Sequence, residues 1–245
     1  MHTEGRGAAT WIAAVVLAGA FALTPSMLFA QDLTLHGTRT QPRGPEVATT
    51  SYFTPTAIRQ TTGDGNEVIL RLDSKKMVTL DNKRKTYSEM TFDELQKMAL
   101  AATAGMENLP PEAAAQMKKL MGGAGGDVTV TATGPGETIA GYATQNYHVA
   151  MGPIEMDMSV APALALPTVY YDAMKALATA NPMFDMKKLY DEFKKIKGTP
   201  LKTVTNMKMM GQSMTTTELV TSVDKAPIPA GTFDVPAGYK LVALK

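Results

Sequence analysis

Methionine, histidine and carboxylate side chains are the candidates for chemistry in this sequence. Met207, Met209, Met210 and Met214 crowd the stretch NMKMMGQSM, and Met156 and Met158 sit in a second, MGPIEMDMSV. Thioether sulfur suits soft Cu(I), which would make the first stretch a metal site. The same side chain also fills irregular apolar space and lines adaptable ligand walls. Three readings therefore stand open: a Cu(I) site, a packed core, and the wall of a cavity for a hydrophobic ligand. His148 and Asp157 could offer two further metal ligands, but two ligands on a solvated face are an ordinary surface arrangement.

The remaining catalytic vocabulary is sparse. The chain has no cysteine and three histidines, two of them (His36 and His148) beyond residue 30. No serine lies in a G-x-S-x-G setting, and there is no HExxH, P-loop or dinucleotide fingerprint. TTGDGNE clusters acids and glycines without the length or terminal glutamate of a calcium loop, so it reads as a hairpin turn. The expectation is a protein that is not an enzyme and needs no cofactor.

These residues must be positioned by strands. The strand series begins at Val47: VATTSYFTPTAIRQTT reads as a strand pair or one long strand broken at Pro55, closed by GDGN. EVILRLD, KMVTL and KTYSEM continue an antiparallel meander. Thr91-Phe92-Asp93-Glu94 has capping-box spacing and opens a helix, and Pro110-Pro111 opens a second. DVTVTAT, a turn at GPGE, IAGYATQNYHVAM and MGPIEMDMSV give further strands. A turn at Gly152-Pro153 sets His148 opposite Asp157, Tyr147 opposite Met158 and Val149 opposite Met156. Tyr147, Val149, Met156 and Met158 then form an apolar face, with His148, Glu155 and Asp157 on the other.

Two helices in series follow Pro167, the second carrying Phe184, Tyr190 and Phe193 at its apolar side and lysines opposite, ended by Gly198. LKTVTNMKMM and SMTTTELVTSV make a last hairpin. A turn at Gly211-Gln212 would pair Met209 with Met214 and put Met207, Met209 and Met214 on one face. The candidate apolar lining is thus Tyr147, Val149, Met156, Met158, Phe184, Tyr190, Phe193, Met207, Met209 and Met214.

Several segments resemble a known family. SYFTPTAIRQ with VTLDNKRKTYSEMTFDEL, IAGYATQNYHV, GTPLKTV and TFDVPAGYK, spanning about residues 46–242, are similar to the LolA/LolB-like superfamily of periplasmic lipoprotein carriers, and locally to its branch of domains of unknown function. The resemblance implies an α+β fold in which a curved antiparallel sheet forms a half-open barrel, with helices inserted between strands as a lid at about 92–121 and 167–197. It supplies no diagnostic ligand residue.

Residues 1–30 read as a secretory signal: a head with Arg6, the apolar run WIAAVVLAGAFAL, a break at Thr24-Pro25 and Ala30 at the cut. The run is shorter than the roughly 20 residues of a membrane span. Residues 31–245 are then one domain, periplasmic or otherwise extracytoplasmic and without a transmembrane span. Losing Arg6 and Glu4 leaves the net charge at +1, far from the basic balance that nucleic acid demands. The partner expected is a hydrophobic small molecule or lipid, held without catalysis. The alternative is an envelope structural or interaction protein with a filled core and a protein partner.

Overall fold

The computed structural model describes residues 32–42, 44–61, 65–107, 112, 128–166, 191–209 and 212–243. The proposed signal, most of the second predicted helix and most of the two helices after Pro167 lie outside them, as do Phe184 and Tyr190. Among the described residues twelve strands hydrogen-bond into one curved, open sheet, with few helices beside it. They are β1 (Leu33–Thr40), β2 (Val47–Phe53), β3 (Ala57–Thr61), β4 (Asn66–Arg71), β5 (Lys76–Asp81), β6 (Thr86–Thr91), β7 (Val128–Ile139), β8 (Tyr142–Met151), β9 (Ile154–Ala161), β10 (Thr199–Met209), β11 (Gln212–Asp224) and β12 (Lys240–Leu241).

Two consecutive meanders, β1 to β6 and β7 to β11, are joined where β1 pairs with β11. Every pairing is antiparallel except that of β12 with β6. β1 is the strand that the series from Val47 omits. Its alternation, Leu33 and Leu35 inward, continues through Gly37, where the register with β11 shifts by one residue of β11. A Cβ on Gly37 would stand 2.4 Å from the Leu219 carbonyl oxygen, so the bulge brings two backbones too close for any side chain.

The other local readings fare unevenly. Around Pro55 the chain makes two paired strands, β2 and β3. The capping box forms: the Thr91 N–H donates to Glu94 Oε2 at 2.8 Å and the Glu94 N–H to Thr91 Oγ1 at 3.2 Å, starting α1 (Phe92–Glu107). The turn expected at GPGE is not there. β7 runs through it to Ile139 with two register shifts, and the chain reverses at Ala140-Gly141, both at positive φ as a two-residue hairpin turn requires. Because β7 is the last strand of the sheet, bulges and Pro135 cost it no inner ladder. The Met209–Met214 pairing also needs correction. Met207 pairs with Met214 and Met209 with Gln212. The slip is two residues, and a period of two keeps Met207 and Met214 on the same face.

Packing divides by face. On the inner face Leu33, Leu35, Phe53, Ile58 and Leu70 meet Leu164, Leu166 and Leu201. On the outer face of β4 and β5, Ile69, Val78 and Leu80 are wholly buried beneath Phe233, Val235 and Tyr239. The last segment thus straps back over the first meander. Arg59 pairs with Glu67 and donates to the Thr232 carbonyl at 2.6 Å, Arg71 donates to the Phe233 carbonyl at 2.8 Å, and Tyr239 donates to Asn82 Oδ1 at 2.7 Å.

Candidate functional site

Alternation and register decide what faces inward. In β8 and β9, Tyr147 stands opposite Met158, Val149 opposite Met156 and His148 opposite Asp157, the pairing that a Gly152-Pro153 turn dictates. β10 continues the rungs, with Thr203 beside Met158, Thr205 beside Met156 and Met207 beside Ile154. The inner face of the second meander therefore carries all the described methionines of the two hairpins.

The ten residues predicted as lining separate into different environments. Tyr147, Val149 and Met158 are buried with Val130, Val160 and Ile196, and half-buried Met156 and Phe193 pack against them. The helical end at 191–193 is anchored there, because Glu192 also accepts the Val130 N–H at 2.9 Å from the edge strand. Met207 is half-buried and Met214 is 41% exposed, farther out along β10 and β11. The side chains of Met209, Phe184 and Tyr190 fall outside the described residues.

Beside this cluster, under the junction of the two meanders, lies a cavity of about 310 Å³. Its floor is apolar: Leu35, Phe53, Leu166 and Leu201 are all buried. Toward the mouth the lining turns polar, with Thr49, Ser51 and Gln60 from β2 and β3. One rung crosses four strands at the mouth, running Arg39, Glu218, Thr203, Met158. Arg39 Nη2 lies 3.0 Å from Glu218 Oε1, with side chains 29% and 53% exposed. Lys202, also in the lining, pairs with Glu137 at 2.8 Å.

Among the described residues, Met158 is the single predicted one that lines this cavity. Sequence reasoning missed the others because β1 supplies Leu35, Gly37 and Arg39, and because six strands distant in sequence contribute. The alternation Leu33, Leu35, Gly37, Arg39 is the one signal that pointed to them.

On the outer face His148 Nδ1 lies 2.8 Å from Asp157 Oδ1, both side chains open to solvent. Among the described residues no group of three or more histidine, cysteine or acidic side chains could hold a metal ion. Among them, too, no helix is long and apolar enough to cross a membrane.

Three comparisons bear on this architecture. No curated protein matches the sequence. The chain is similar to a solved structure titled "Crystal structure of MucB", with 13% identity and a TM-score of 0.37, covering 88% of this chain and 61% of that one. Residues 40–239 match the profile of a family described as "Domain of unknown function (DUF4412)". That match takes in β2 to β11 and most of the strap, and on it the chain belongs to the DUF4412 family.

Proposed function

We propose that this chain is a non-catalytic, extracytoplasmic binding or carrier protein that holds an apolar chain against the inner face of its sheet. The supporting observation is the cavity beneath the meander junction, with its buried floor of Leu35, Phe53, Leu166 and Leu201. A volume of about 310 Å³ is roughly twice the ~150 Å³ apolar cavity that admits benzene in another protein. It suits one chain better than a whole two-chain lipid. Affinity would come from burial, at about 25 cal/mol per Å² of apolar area removed from water. Helices then serve as a lid, which fits the docking of residues 191–196 on Tyr147, Val149 and Met158.

The alternative, an envelope interaction protein with a filled core, has its own support in that same packed cluster. The two readings separate at Ser51, which is half-buried in the cavity lining. Ser51→Phe should fill the cavity, leave thermal unfolding close to wild type and abolish uptake of an apolar fluorescent probe. A wild type that takes up no probe would favour the filled core.

A further inference from the structure

The charge around the cavity, taken with the binding role proposed above, specifies the ligand further. The apolar and polar parts of the lining are segregated by depth. Leu35, Phe53, Leu166 and Leu201 are each under one-tenth exposed, whereas the mouth carries Arg39 and Glu218 at 29% and 53% side-chain exposure. Lys202, next along β10, turns to the outer face and pairs there with Glu137.

We infer that the ligand is a single-chain amphiphile with an anionic head, inserted tail first, its head taken by the Arg39 guanidinium at the mouth. A guanidinium presents a planar fork that fits a carboxylate or a phosphate. Glu218, one of its partners in this structure, is more than half exposed, and ion pairs open to water on one side are weak and exchangeable. An incoming head tethered to a buried chain arrives at high effective concentration and shields the pair from water. It can therefore displace the Glu218 carboxylate, which swings into solvent without being left buried and unpaired. Thr49, Ser51 and Thr203 place hydroxyls along the same lining, where the remaining head oxygens can be hydrogen-bonded.

The test compares four probes of one chain length, decanoate, decyl phosphate, decanol and decyltrimethylammonium, titrated calorimetrically below their micellar concentrations. Either anion should bind at least about tenfold tighter than the alcohol, as a charge-assisted contact implies, and the tighter of the two identifies the head. Arg39→Gln should bring anion affinity down to that of decanol and leave decanol unchanged. Glu218→Gln, at an exposed position, should raise anion affinity severalfold by removing the competitor. Equal binding of anions and alcohol, or an anion preference that survives Arg39→Gln and ignores Glu218→Gln, would overturn the headgroup assignment while the cavity role stands. No binding of any of the four would overturn both.

Discussion

The outer face of the first meander and the outer face of the second are made by the same kind of alternating strand, yet one is a core and the other a surface. Behind β4 and β5 the strap covers Ile69, Val78 and Leu80 completely. Behind β8 to β10 the equivalent positions hold His148 and Asp157, hydrogen-bonded to each other, and Lys202 and Lys208 in ion pairs, all open to solvent. The first meander is therefore anchored on both faces and the second on its inner face. A site that must admit a ligand belongs at the border of the two, where rigid strands meet a less covered half. The cavity sits there.

Mutations can break that comparison. The largest effect is expected for Leu80→Ala, which empties a fully buried outer-face position and should destabilise the fold by about 2–5 kcal/mol in chemical denaturation. Arg59→Ala comes next. It leaves Glu67, 13% exposed, without its cation and strips a donor from the strap's Thr232 carbonyl, and should cost about 3 kcal/mol. Val204→Ala, on the outer face of β10 between Asp157 and Thr217, should stay within about 0.5 kcal/mol of wild type. A loss near that of Leu80→Ala would show that the outer face of the second meander is also covered.

The smallest effect is one of pH. The Thr91 N–H and hydroxyl bonds favour the charged Glu94 carboxylate and hold its pKa below the ordinary carboxylate value. The folded pKa thus lies below the unfolded one, so this cap supports α1 above the unfolded value and is lost as pH falls through the folded one. The protection of the Thr91 amide, taken relative to its intrinsic exchange rate at each pH, should fall over that acidic interval, and Glu94→Gln should remove that change in protection.

Much of the fold was legible in the sequence where information is local. The capping box, the Gly152-Pro153 hairpin and its pairings follow from spacing alone, because turn chemistry and a period of two fix a register within a few residues. GPGE misled because glycine and proline signal a turn in an inner strand but a bulge in an edge strand, and edge status is settled by topology. Ala140-Gly141 lacks the usual turn pair and gives a weaker turn signal than GPGE. The cavity was least legible. Leu35 and Arg39 come from the unanticipated β1, and meet Leu201 and Glu218 only because β1 pairs with a strand some 180 residues away. The methionine pattern identified the inner face of the second meander, not the cavity beside it.

Native mass spectrometry of the purified chain, with solvent extraction of whatever it carries and metal analysis of the same sample, tests the central claim most directly. The account predicts one single-chain amphiphile per protein, present in wild type and missing from Ser51→Phe. A wild-type protein that stays empty after incubation with decanoate, or one that carries stoichiometric copper in place of an amphiphile, would contradict it.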